Sequence, residues 1–275
     1  MQPSADNSVS PVTLPARRPV PPDGRGVAAG PVNRIPCPPF MPEPKQFPKR
    51  LLASLLLGLG CSSPRPIEGV WRPGPGEDPD HIPGPMKNFG SFDSYADALK
   101  AACPLILSKP NATVGYLQDS NPDLARRTAT EYCAWLYYTP EHQYEMSMLT
   151  DQSSPDDLVT GKRSCLLPTF VNDLRYASGD LKYIFALHNH PFGSRISPQD
   201  TRFIEQMASV HEWVIKTKNN SEILLSVIAF FSKSKDSAAP TCDGFYQYTP
   251  ATHTMVMWTQ TQSRWKQVVL DQDGP

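Results

Sequence analysis

In "SFDSYADALKAACPLIL" the apolar positions Tyr95, Ala98, Leu99 and Ala102 recur at three- and four-residue steps behind a Ser or Asp cap, which predicts a helix over about 92–106. A second, short helix is expected in "NPDLARRTATE", with Asn121 as its cap and Pro122 at its first position. The period then falls to two. "EYCAWLYY" and "QYEMSML" read as strands joined by "TPEH" in a hairpin. In "LKYIFALHNH", strict alternation puts Ile184, Ala186, His188 and His190 on one face and Tyr183, Phe185 and Leu187 on the other. Apolar groups on both faces predict a central, covered strand. From Pro198 to about Lys216 the set Phe203, Met207, Val210 and Val214 returns to helical spacing, and "ILLSVIAFF" follows as a buried strand. "GFYQYTP", "THTMVMWT" and "RWKQVVL" close the chain as three more strands. This order predicts an α/β domain over residues 88–275, about the usual size of one domain.

The first part of the chain has a different character. Prolines number 31, and 13 of them precede residue 49, so the N-terminal stretch cannot supply a core. In "MPEPKQFPKRLLASLLLGLGCSS" the basic residues Lys45, Lys49 and Arg50 precede an apolar run from Leu51 to Leu59, then small residues and Cys61. The run is too short for the ~20 apolar residues of a membrane-spanning helix. The segment, over residues 41–60, resembles a bacterial lipoprotein signal peptide, which implies cleavage before Cys61, lipidation of its thiol, and a place in the bacterial cell envelope with the membrane as partner through the lipid anchor. Gly58 departs from the leucine usual in that signal. Residues 1–40 are then an extension from an early start codon; the alternative is a genuine Pro-rich arm. Residues 61–87, rich in Pro and Gly, read as a tether, with Trp71 either a docking residue or an incidental exposed aromatic.

A net charge of −1 argues against a protein that binds nucleic acid by neutralising phosphates. If the chain is exported, Cys103, Cys133, Cys165 and Cys242 sit where disulfides persist; four cysteines allow three pairings, and buried free thiols are the alternative. The absence of any Cys-x-x-Cys excludes a zinc ribbon.

The chemistry concentrates in "HNHPFGSRISPQD". Residues two apart on a strand point the same way, so His188 and His190 can reach a common ion. A hydrolytic zinc needs a third protein donor and an open position. Asp200 offers that donor: Ser197 reads as an N-cap, Pro198 as a first-turn residue, and Asp200 stands on the first turn, with Gly193 freeing the loop to fold back. The plainer alternative is a helix cap beside two satisfied histidines.

Taken with an upstream Glu131, "HNHP" and "SPQD" resemble the signature of the JAB/MPN/JAMM metalloprotease superfamily, in particular its branch of uncertain function in bacterial surface proteins and toxins. The resemblance implies a mixed β-sheet sandwiched by helices, cytidine-deaminase-like in architecture. It implies Zn2+ on His188, His190 and Asp200, Glu131 as acid/base, Ser197 as oxyanion support, and peptide or isopeptide hydrolysis on a peptide or protein substrate. Glu145 is the reserve base. The loop from His190 to Ser197 is one residue shorter than in the best-studied isopeptidases, which puts the reach of Ser197 in question. An anchored binding or scaffold module that keeps the fold without turnover is the rival. An HNH nuclease lacks its basic groove here, and a zinc deaminase its Pro-Cys-x-x-Cys. His81, His142, His211 and His253 are scattered, and surface or packing roles are expected for them.

Overall fold

Packing is organised by a seven-stranded sheet in the order β11-β10-β9-β8-β5-β2-β3. The computed structural model describes residues 65–154, 157, 164–261 and 264–270. Cys61 and the signal-like segment lie outside them. The sheet strands are β2 (Cys133–Tyr138), β3 (Tyr144–Met146), β5 (Lys182–Asn189), β8 (Ser226–Phe231), β9 (Gly244–Thr249), β10 (Thr254–Thr261) and β11 (Arg264–Leu270). Only the β5–β8 pair is parallel, so the sheet is mixed.

Helix α1 (Tyr95–Leu107) is capped by the Ser94 hydroxyl and buries Ala98, Leu99, Ala102, Cys103, Ile106 and Leu107 against one face of the sheet. Two short helices, α2 (Leu117–Ser120) and α3 (Pro122–Thr128), follow, the second capped by Asn121 with Pro122 at its start as expected. Helix α4 (Pro198–Val210) lies on the opposite face, where Ile204, Met207 and Ala208 join a second core with Trp135, Ala186 and Val227. The molecule is therefore α/β, with helices on both faces of a mixed sheet. The parallel β5–α4–β8 connection brings the start of α4 back over the carboxyl end of β5, where open α/β sheets generally place their ligands.

Three expectations need correction. Helix α4 ends at His211, short of Lys216, and Val214 belongs to β6 (Val214–Lys216), which pairs with β7 (Glu222–Leu224) in a separate hairpin. "ILLSVIAFF" is thus two strands broken at Leu225, not one. The faces of β5 also slip: a bulge opposite Leu136 and Tyr137 puts Ile184 in the same core as Phe185 and Leu187, while Tyr183 joins Ala186 in the other.

The described part of the expected tether packs on the domain. Its strand β1 (His81–Gly84) pairs with β4 (Phe170–Asp173), and Ile82 and Met86 are buried. Trp71 donates its backbone N–H to Leu149 at 2.7 Å, and Arg72 pairs with Asp151. Few apolar residues suffice because β4 satisfies the backbone groups that a free tether would leave to water.

The four cysteines of the domain form two disulfides. Cys103–Cys242 ties α1 to the chain before β9, and Cys133–Cys165 ties the start of β2 to the segment before β4.

Candidate metal centre

Three buried or half-buried donors meet at the end of β5. The His188 and His190 Nε2 atoms lie 2.9 Å apart, and Asp200 Oδ2 is 3.8 Å from the first and 3.5 Å from the second. Both rings are about 95% removed from solvent. Alternation along β5 aims them to one side, and the peptide N–H of His190 extends the ladder by donating to Phe230 at 2.9 Å. Gly193, at φ +68°, turns the loop back, and Gly193 N–H closes that turn on the His190 carbonyl at 2.9 Å.

Asp200 serves the helix and the cluster together. Its Oδ2 accepts from the Ser197 N–H at 2.8 Å and from the Ser197 hydroxyl at 2.7 Å, while its own N–H donates to Ser197 Oγ at 3.2 Å. This is a capping box with Asp in the third position. Both Ser197 donors and both imidazoles fall on the same oxygen, Oδ2, so a bound cation would share that atom with the cap or take the lone pairs of Oδ1. The Ser197 hydroxyl donates to Asp200 Oδ2 and accepts from the Asp200 N–H, so it clamps the third donor.

His190 Nδ1 lies 2.7 Å from the Ser194 carbonyl, which can only accept, so Nδ1 carries a proton and Nε2 is the nitrogen turned toward Asp200 and His188. A second-sphere carbonyl of this kind is the usual companion of a metal-ligating histidine. Two nitrogens and a carboxylate oxygen at these separations call for a cation between them, a proton or a metal ion. The set His188, His190 and Asp200 can hold a metal ion.

Burial opposes charge on both imidazoles. It wins at His188, whose pKa is lowered; at His190 the Asp200 and Glu131 carboxylates outweigh it and the pKa is raised. Burial would likewise raise Asp200, but the two imidazoles hold it well below the usual carboxylate range.

Glu131 lines the same open cavity, about 450 Å³, as His190, Ser197 and Asp200. It stands two residues before β2, whose first residue, Cys133, pairs with His188, and its carboxylate acts electrostatically on His190. Glu145 is removed as a reserve: it is 3% exposed on β3, receives Ser91 Oγ at 2.5 Å, and is gripped by both terminal nitrogens of Arg175. The other histidines fill packing or surface roles, as His211 does by stacking on Tyr183 at 3.8 Å between ring centroids.

Asn189 was passed over in the sequence. It is fully buried on the far side of β5, and it accepts from Tyr132 N–H at 2.7 Å while donating to the carbonyls of Ala112 (2.8 Å) and Thr130 (3.0 Å). A polar side chain between two histidines on an otherwise apolar strand was the available signal.

No protein-family model, curated protein or solved structure matches this chain.

Proposed function

We propose that this chain is a zinc-dependent hydrolase of peptide or isopeptide bonds, of the JAMM type, acting on a peptide or protein substrate. The observation that carries the reading is the convergence of His188, His190 and Asp200 at 2.9, 3.5 and 3.8 Å with Glu131 on the same cavity. A nitrogen and oxygen donor set suits zinc, and tetrahedral bonds of about 2.0–2.1 Å separate neighbouring donors by about 3.3 Å, the middle of the observed range. Three protein donors would leave a tetrahedral zinc one position for a non-protein ligand, and the cavity borders the set. The mixed sheet with helices on both faces agrees with a JAMM-like fold.

When bound, zinc supplies Lewis acidity toward water and an amide carbonyl. The chain's own residues do the rest. His188 and His190 present neutral Nε2 atoms, Ser194 holds the His190 tautomer, and Ser197 fixes the carboxylate of Asp200. The Glu131 carboxylate takes a proton from water and returns it to the departing amine nitrogen.

Two disulfides fit an oxidising compartment, in keeping with export to the bacterial cell envelope and a lipid anchor at Cys61. A second reading, an anchored metal-loaded binding module without turnover, is favoured by the commitment of the Ser197 hydroxyl to Asp200. Elemental analysis of the native chain beside His188→Ala, with peptide-library hydrolysis by the native chain beside Glu131→Gln, tests both. The hydrolase reading expects zinc lost in the first variant and turnover lost in the second. Equal zinc in native and His188→Ala would leave a helix cap beside two histidines; zinc without turnover would leave the binding module.

A further inference from the structure

Beside the cluster a second, smaller recess opens. It shares Ser164, Gln199 and Asp200 with the larger cavity, and His188 and Asp200 of the cluster are among its lining residues. Its remaining wall is uncharged, built from Ala186, Val227, Phe203, Leu167 and the Cys133–Cys165 disulfide. Its volume is about 120 Å³. An apolar cavity of roughly 150 Å³ is what it takes to admit a benzene ring, so this one admits a short aliphatic group and rejects an aromatic one. An acidic side chain would lose its hydration there beside the Asp200 carboxylate with no cationic lysine or arginine in the lining to pair with it.

We propose that this recess is a specificity pocket that selects a short aliphatic side chain, alanine to valine in size, on the residue flanking the bond presented to the cluster. The inference rests on the hydrolase reading and names the substrate class for it: peptides with a small aliphatic residue at the cleavage position. Phe203, on the second turn of α4, and Ala186, on β5, set the pocket's length and depth.

The test is the affinity of zinc-loaded protein for the hydroxamates of N-acetyl-glycine, alanine, valine and phenylalanine, measured by calorimetry without turnover. The valine compound is expected to bind at least about 10-fold tighter than the glycine compound, and the phenylalanine compound at least about 10-fold weaker than valine. Phe203→Ala should invert the valine–phenylalanine order, and Ala186→Val should weaken the valine compound alone. Zinc content and circular dichroism verify each fold, and if Phe203→Ala unfolds, Ala186→Val decides. Equal affinities along the series, or tightest binding of the phenylalanine compound by the native protein, would overturn the pocket and leave the metal reading standing. Binding of no hydroxamate at all by protein that holds zinc would overturn the hydrolase reading and the pocket with it.

Discussion

Asn189 accepts the backbone N–H of Tyr132 at 2.7 Å, and its amide nitrogen donates to the Thr130 carbonyl at 3.0 Å. The residue between the two histidines thus pins both peptide neighbours of Glu131, so metal donors and proposed base are held by one strand end. Asn189→Ala leaves buried backbone groups without partners at about 1–3 kcal/mol each. We expect a loss of stability on the order of 3 kcal/mol, with zinc stoichiometry kept and turnover reduced. Zinc loss in this variant, with the fold intact, would show that Asn189 shapes the metal pocket and not the placement of Glu131.

Bound cation should stabilise the fold. A ligand at 100 times its dissociation constant adds about 2.7 kcal/mol, and at about 2–4 °C per kcal/mol for a domain of this size chelation is expected to lower Tm by about 5–10 °C. Asp200→Asn and His190→Ala should abolish the difference between chelated and zinc-supplemented samples. Differential scanning calorimetry checks this, and a native protein whose Tm ignores both chelator and zinc would contradict a metal centre.

Local signals carried much of what could be read from the sequence. Asn121 with Pro122, and Ser197 with Asp200, announce helix starts by capping chemistry alone, and α3 and α4 begin where those residues place them, whereas α1 begins at Tyr95 behind Ser94, three residues later than the expected 92. What depended on distant partners was not legible. The bulge that reassigns Ile184 arises from pairing with β2, some 50 residues away in sequence, and β1 forms only because β4 offers it an edge. The end of α4 carries no proline or glycine, so Val214 continued a helical count that the chain abandons at His211. At the site, two imidazoles and a carboxylate followed from strand and helix geometry. The commitments of Ser197, Glu145 and Asn189 did not, because each is set by a hydrogen-bond partner the sequence cannot point to.

Arg175 holds a buried carboxylate whose protonation in acid should be felt by the fold. It bonds Asp173 and Glu145, whose side chains are 1% and 4% exposed, and Tyr137 donates to Asp173 at 3.0 Å. Burial alone would raise the Asp173 pKa, but the bonds from Arg175 and Tyr137 lower it below the ordinary value. A depressed folded pKa stabilises above the unfolded value, about 3.9, and that contribution disappears as pH falls through the folded one. Arg175→Ala strands two buried carboxylates and should cost about 3 kcal/mol at neutral pH. Its deficit relative to native should shrink as pH drops below about 4, because protonation relieves the stranded Asp173 in the variant and ends the Asp173–Arg175 pair in the native chain. Urea denaturation at neutral and acid pH checks the sign; a deficit that widens in acid would contradict it.

Ser197 offers the sharpest distinction between a cap and a metal clamp. Loss of its hydroxyl removes the donor to Asp200 Oδ2 at 2.7 Å and the acceptor for Asp200 N–H at 3.2 Å. As a cap alone, Ser197→Ala costs about 1 kcal/mol, with no effect on zinc beyond that. As a clamp on a ligating carboxylate, it should also weaken zinc affinity by about 10–100-fold, the usual effect of losing a hydrogen bond to a ligand. Ser197→Thr keeps hydroxyl and cap and should restore most of that affinity. The comparison uses competition with a chromophoric chelator on folded protein, so stability and affinity are read separately. Unchanged zinc affinity in Ser197→Ala would reduce the residue to its helix; a loss rescued by threonine would tie the start of α4 to the metal.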